Sequence, residues 1–296
     1  MARSLTEADW ERLMDQLQDG DCTPFLGAGA GAGHLPTGAA LATDSADEHG
    51  YPFKDKDDLT RVFQYVVSRG GDAVYEKGRL ARKHFHGIEQ PDFTQAHEPH
   101  ALLARFPIPV YLTTNYDGFM AAALSNQGKQ PHQAICPWYA GATQDPVFDT
   151  PAGYAPAADK PIVYHLHGNS SEPRSLVISE DDYLDFLVRV AGKQQILPPV
   201  IEEALGSRPL LFIGYSLQDW TFRVVFRGLL ATVPPHQQRR HMSVQLLPDR
   251  RDDTEETRAA AQEYLAEYFD NMRISIYWGT AQEFCTELTA RLDGRT

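Results

Sequence analysis

Three short stretches carry residue types able to do chemistry: Gly27-Ala28-Gly29, Thr113-Thr114-Asn115-Tyr116-Asp117 and Leu166-His167-Gly168. Glycines let a backbone turn tightly and approach a pyrophosphate, whose charge a helix N-terminus then stabilises. Asn115 and Asp117 follow two threonines, which is more polarity than capping one helix requires. His167 brings an imidazole whose ordinary pKa lies near working pH, suited to accepting a proton. Each stretch follows a short apolar run of strand character. A mostly parallel sheet would therefore deliver all three to one edge, where α/β proteins bind ligands.

The elements that must position these residues are legible in outline. Residues 6–19 read as an amphipathic helix, with Thr6 as N-cap, Asp9 in the first turn, and Trp10, Leu13, Met14 and Leu17 at helical spacing. Thr23-Pro24-Phe25-Leu26 is a short strand running into the Gly/Ala tract. Residues 37–105 show little strand signal, and segments near 38–49, 57–69, 72–86 and 97–105 look helical. They form a helical insertion after the first strand. Residues 109–113 are a strand and 116–124 a helix. The Pro-, Gly- and Asp-rich stretch 137–161 is either a long loop or a lid over a substrate. Residues 162–166 are a strand ending at His167-Gly168, and Ser179 caps a helix with acids in its first turn. The continuous apolar run 209–213 is typical of a strand buried on both faces. It ends at Gly214-Tyr215-Ser216, and a helix follows from about Asp219. Residues 242–247 and 272–278 are the last strands, with a helix between them and another at the end. Alternating strands and helices give an α/β fold, a Rossmann-like, doubly wound and mostly parallel sheet with a helical insertion.

The bulk composition excludes several classes. The chain has 296 residues, 42% of them apolar, and no run approaches the roughly 18 apolar residues of a membrane span. The first residues lack the apolar core of a signal peptide. The expectation is a cytoplasmic protein with no membrane partner. A net charge of −13 disfavours nucleic acid, because phosphate contacts need clustered Lys and Arg. The one dense basic cluster, Arg239-Arg240-His241, reads as a solvated loop edge. Three distant cysteines, Cys22, Cys136 and Cys285, fit neither a disulfide framework nor a Cys-ligated zinc.

Two familiar motifs are approached without being met. Gly27-x-Gly29-x-x-Ala32 satisfies a loose dinucleotide fingerprint, but Gly33-His34-Leu35-Pro36 intervenes where the helix should begin. The second strand with its acid about twenty residues on is also missing. Gly214-Tyr215-Ser216 would need a glycine at position 218 to make a serine-hydrolase nucleophile elbow, and Gln218 stands there.

Taken together, the motifs resemble the sirtuin superfamily, over about residues 22–293. Gly27-Ala28-Gly29 followed by Gly33-His34-Leu35-Pro36 is similar to its Gly-Ala-Gly and Gly-Ile-Pro segments, although the spacing differs and Gly31 stands where a Ser is usual. Asn115-Tyr116-Asp117 matches its Asn-x-Asp motif and His167-Gly168 its catalytic His-Gly. Phe212-Ile213-Gly214-Tyr215-Ser216-Leu217 resembles its Gly-Thr-Ser-Leu segment. The texture of His165-Leu166-His167-Gly168-Asn169 and of residues 177–183 is that of the bacterial SIR2-like branch. Deacylating sirtuins carry a four-Cys zinc ribbon, which three scattered cysteines cannot supply, so no metal is expected.

The resemblance implies one SIR2-like domain over 1–296 that cleaves NAD, its substrate, to nicotinamide and ADP-ribose in antiphage defence. It implies an oligomer, triggered by a sensor or activator; since no sensor domain is seen here, a separate protein is expected. Asn115, His167 and Asp117 would be the catalytic group. Gly27, Ala28, Gly29, Pro36, Thr114, Gly214, Ser216, Asp249 and Trp278 would bind the dinucleotide. His165 is a second candidate for the catalytic His. A module that binds NAD or ADP-ribose without turnover, or an ADP-ribosyl or acyl transferase, would use the same pocket.

Overall fold

The computed structural model describes residues 5–149, 154–191, 196–215, 239–246 and 254–295. Helix α1 (Glu7–Gln18) starts with a capping box between Thr6 and Asp9, and its apolar stripe Trp10, Leu13, Met14 and Leu17 is buried. Strand β1 (Thr23–Leu26) follows, then a 3-10 turn (Ala28–Gly31). Four helices come next: α2 (Gly38–His49), α3 (Leu59–Gly70), α4 (Ala73–His84) and α5 (Pro99–Ala104). Beyond them lie β2 (Val110–Thr113), α6 (Phe119–Asn126), β3 (His132–Ile135) and β4 (Ile162–His165). The described second half holds α7 (Glu180–Ala191), α8 (Pro199–Gly206), β5 (Leu210–Ile213) and β6 (His241–Gln245). It closes with α9 (Glu255–Asp270), β7 (Ile274–Trp278) and α10 (Ala281–Asp293).

The seven strands form one sheet in the order β3-β4-β2-β1-β5-β6-β7, and every pair is parallel. The mixed character allowed for in the sequence is absent from these strands. β1 lies at the centre with β2 on one side and β5 on the other, so the chain reverses its direction of winding there. That is the switch point at which a parallel sheet leaves a crevice. One face is covered by α1, α5, α6 and α10, through Trp10, Leu17, Leu103, Leu124 and Phe284. The other is covered by α7, α8 and α9, through Phe186, Ile201, Leu205 and Phe269. Helices α2 to α4 add two small apolar clusters of their own, centred on Phe63 with Leu80 and on Ala46 with Val62.

Several sequence expectations change. The helix expected over 116–124 begins only at Phe119, because the preceding residues are held as a loop. Strand β3 and helix α8 were not anticipated. His241 is not on a solvated edge. It is buried at the start of β6, where its Nδ1 accepts the Leu210 N–H at 3.0 Å. The helix expected from Asp219 lies outside the described residues.

The register aligns the strand ends. Leu26 pairs with Thr113 on one side and Ile213 on the other, and Thr113 pairs with His165. The turns that follow β1 and β5 then pack backbone against backbone. Gly27 N–H donates to Ile213 O and Gly29 N–H to Gly214 O, both at 2.9 Å. A Cβ on Gly27 would lie 2.6 Å from Gly214 O, and one on Gly29 2.8 Å from Gly214 Cα. Gly214 itself has φ +72° and faces Ala30 N and Gly29. A Gly214→Ala change therefore adds a collision to a left-handed strain and is expected to cost about 3 kcal/mol or more. Gly33, at φ +93° with open space around it, gives the comparison. Gly33→Ala should cost only about 1 kcal/mol. Equal losses in chemical denaturation would show that the inter-turn contact contributes nothing.

Candidate functional site

The loop after β2 is bound down onto β1 by its own polar groups. Thr114 N–H donates to Leu26 O at 3.0 Å, and Asn115 N–H to Thr113 Oγ1 at 2.9 Å. Asn115 is buried, and its Nδ2 donates to Gly27 O at 3.0 Å. The asparagine thus ties the end of β2 to the glycine turn after β1. Gly27 and Gly29 were read as glycines that let a ligand approach. Their closest neighbour is in fact the turn at Gly214, so sterics inside the protein already require them. Ala28, between them, is exposed.

Asp117 has two different oxygens. Oδ1 accepts the Phe119 N–H at 2.9 Å and so starts α6. Oδ2 is buried and has no hydrogen-bond partner among the described residues. A buried carboxylate oxygen without a donor is costly. A ligand hydroxyl or amide N–H is the chemistry that would satisfy it.

The two histidines at the end of β4 sit in unlike surroundings. His165 pairs with Thr113 across the sheet and is buried. Its Nδ1 lies 3.3 Å from Asn115 O, and its Nε2 lies 3.2 Å from Gln133 Oε1 and 3.3 Å from Asn169 Nδ2. Burial lowers its pKa, opposed by the Asn115 carbonyl and the Asp117 charge. At 166–167 the chain leaves the strand in a turn, which breaks the alternation of faces. The His167 ring is packed edge-on against Tyr183 (5.3 Å between ring centres) and Phe186 (4.9 Å), both on α7. Burial pushes the His167 pKa down to about 3. Gly168 follows at φ +89°, where a Cβ would strike Ser175 O. The His-Gly pair is thus set by a tight loop, closed where Val177 N–H donates to His167 O at 3.0 Å.

That loop is fastened from the chain after β2, the chain after β3 and the helical block. Tyr116 OH donates to Val177 O at 2.7 Å, and the Trp138 indole N–H donates to Ser175 O at 2.6 Å. Lys77 on α4 is buried and pairs with Asp182 at 2.6 Å. Asp182 also accepts the N–H groups of Ile178 and Ser179.

On the far side of β1 the remaining candidates are spread along the same edge. Gln245, at the end of β6, donates from Nε2 to Tyr215 O at 2.7 Å and pairs in register with Trp278. Trp278 is half-buried, and its indole N–H is buried without a partner among the described residues. Pro36 is half-buried just before the N-cap of α2. Ser216 and Asp249 lie outside the described residues. The structure therefore brings Gly27, Gly29, Thr114, Asn115 and Gly214 into one hydrogen-bonded and sterically interlocked group, with His165 joined to it through Asn115 O. His167 leaves the neighbouring strand two residues after the registered pair Thr113 and His165, as Asn115 does.

Sequence reasoning missed Gln133, Gln245 and the partners of His167. Tyr183 and Asn169 lay within stretches noted for their texture. Gln133 had no signal, because its strand had none. Among the described residues no group of three or more His, Cys, Asp or Glu is placed to hold a metal ion. The three cysteines are buried and free.

Comparison with known proteins gives a coherent picture. A family model described as SIR2-like domain matches residues 109–269, more than half of the chain. Curated relatives named NAD(+) hydrolase ThsA come from Enterococcus faecium (27% identical, 71% of this chain and 40% of the relative) and Cytobacillus dafuensis (28% identical, 71% and 38%). A third, from Acinetobacter baumannii, is 27% identical over 71% of this chain and 39% of its own length. The chain thus spans about two fifths of the length of these relatives.

The buried histidines set the acid stability. The folded pKa of His167 (about 3) lies below its unfolded value of about 6.5, so the unfolded chain binds more protons between those limits. Stability is then complete above pH 6.5 and falls progressively as pH drops toward 3. His241, lowered to about 4 by burial and by Arg239, acts in the same sense. Thermal melts from pH 7 to 4 should show Tm falling, and His167→Phe should flatten the slope. An unchanged slope in that variant would mean that His167 is already solvated in the native state.

Proposed function

Because the chain belongs to the SIR2-like family, we propose that it is an NAD glycohydrolase, cleaving NAD to nicotinamide and ADP-ribose. The observation that carries this is the tie between Asn115 Nδ2 and Gly27 O at the switch point of the sheet, beside the Asp117 oxygen left without a donor. The names of the relatives support the same reaction.

The bond broken is the one between the anomeric carbon of the ribose and the nicotinamide nitrogen. Its electron pair leaves with nicotinamide, which departs neutral, so no acid is needed. The transition state is oxocarbenium-like, as in glycoside hydrolysis. A water oxygen then bonds to the anomeric carbon and its proton must go to a base. Asn115 is assigned the placing of that water or of the ribose. His167 is assigned the proton: its ring is neutral at working pH, so its lone pair is available, while burial, which pushes its pKa down to about 3, makes it a weak base as packed here. Asp117 Oδ2 is assigned to a donor group of the ribose or the nicotinamide amide. Gly27, Ala28, Gly29, Pro36, Thr114, Gly214 and Ser216 are assigned to binding the dinucleotide, and Asp249 to its adenine ribose. Trp278, whose indole N–H has no partner among the described residues, is assigned to the adenine side.

Within the same proposal the protein works in the cytoplasm, without a metal, as an oligomeric effector of antiphage defence activated by a partner. The bacterial branch whose motifs it resembles supports this. Among the described residues no helix is long and apolar enough to cross a membrane.

Mass spectrometry of products, after incubation with NAD over a range of protein concentrations, tests the proposal. Wild type should release nicotinamide and ADP-ribose. Asn115→Ala and His167→Ala should each lose about 100-fold or more in rate while keeping the wild-type circular dichroism. Normal turnover by both variants would remove the site assignment. Tight NAD binding by wild type without turnover at any concentration would favour the binding-module alternative.

A further inference from the structure

His165 is a buried titratable side chain with polar neighbours at both ring nitrogens, and the proposed chemistry gives it no role. It is buried at the last paired position of β4, directly across from Thr113. Nδ1 faces only the Asn115 carbonyl, at 3.3 Å, which can only accept, whereas Nε2 has a possible donor in Asn169, so the proton is placed on Nδ1. With the proton on Nδ1, the Nε2 lone pair accepts from the Asn169 amide nitrogen at 3.3 Å, and Gln133 Oε1, 3.2 Å from Nε2, packs beside it as a second acceptor without a hydrogen bond. Asn115 is thus gripped twice. Its carbonyl is held by His165 from β4, and its side-chain amide is held by Gly27 O from β1. The ring's orientation is held in turn by the Asn169 amide, which donates to Nε2.

We propose that His165 is a positioning residue, whose Nδ1–H holds the Asn115 carbonyl and thereby aims the Asn115 side chain. Its functional meaning rests on the NAD-cleaving role given to Asn115 above. A misplacement of about 1 Å in a positioning group can cost about 100-fold in rate. Loss of the His165 contact should therefore appear in kcat and leave NAD binding largely intact.

Substitutions can separate this from mere space filling. In Asn the amide nitrogen stands the same number of bonds from Cβ as His Nδ1, whereas in Gln it stands at the distance of Nε2. His165→Phe fills the volume with no donor. His165→Phe is expected to lower kcat about 100-fold with KM within about threefold. His165→Asn should recover at least about tenfold of that loss, and His165→Gln should not. Wild-type kcat in His165→Phe would overturn the proposal. So would equal losses in the Asn and Gln variants at matched Tm. A crystal structure of the His165→Phe variant, or of the Gln variant if Phe does not fold, reads the geometry without turnover. Loss of the bond between Asn115 Nδ2 and Gly27 O supports the positioning role, and retention of the wild-type loop overturns it. Absence of NAD cleavage by wild type would instead remove the catalytic reading of Asn115, with the crystallographic comparison still deciding whether His165 holds it.

Discussion

The contact on which the rest of the candidate site depends is that between the turns after β1 and β5. There are no side chains between Gly27, Gly29 and Gly214, and none could be inserted. This fixes how the two halves of the sheet meet at the switch point. From it a line of hydrogen bonds runs along the C-terminal edge in both directions. Toward one side it passes from Gly27 O to Asn115, from the Asn115 carbonyl to His165, and from His165 to Asn169. Toward the other it passes from Tyr215 O to Gln245, and from Gln245 O to the N–H of Gly279 beyond β7. Peptide groups at the ends of parallel strands have lost their ladder partners and must find others when buried. The side chains Asn115, His165 and Gln245 supply partners at this edge, so residues of the candidate site also satisfy the ends of the sheet.

Around that edge the protein invests charge sparingly. The buried ion pair of Lys77 and Asp182 is the main exception near the candidate site. Taking such a pair out of water is costly, and it is kept only where geometry satisfies both ends. Asp182 is satisfied by two backbone N–H groups as well as by Lys77, and the Lys77 ammonium also lies 5.4 Å from the Trp138 ring centre. The pair joins α4 to the start of α7, the helix that supplies Tyr183 and Phe186 to His167. Gln64 makes a second link, to Asp181 at 2.8 Å. The helices that interrupt the sheet between β1 and β2 thus have a definite mechanical role, which is to hold the wall behind the His167 ring.

How much of this could be read beforehand depended on whether a signal was local. The capping box of α1 and the unbroken apolar run of β5 are local, and both were legible. Strand β3 was not. It is an edge strand of four residues, His132 to Ile135, with only Ala134 buried, so it has neither an apolar run nor a clean alternation. The start of α6 was misplaced because Thr114 to Asp117 have good partners outside a helix: Leu26 O for Thr114, Gly27 O for Asn115 and Phe119 N–H for Asp117. Those partners are decided by tertiary structure. The glycine turn was recognised, but its cause was not. A partner turn nearly two hundred residues away cannot be inferred from Gly27-Ala28-Gly29 itself. The candidate residues were named from their order along the chain, and their hydrogen bonds to one another follow only from the strand register.

The histidines of β4 show why order alone could not divide the roles. In a regular strand His165 and His167 would share a face and compete for one task. The turn at 166–167 sends them to different surroundings. Burial lowers both pKa values, so charge does not distinguish them. Commitment does. Both nitrogens of His165 are engaged, and protonating Nε2 would set it against the lone pair's present donor, Asn169. Among the described residues no side-chain hydrogen bond engages the His167 ring, whose neighbours are the edges and faces of two aromatic rings. A transient proton acceptor needs an uncommitted lone pair, and a positioning group needs the opposite. On that physical ground the proposal gives the proton to His167 and the geometry to His165.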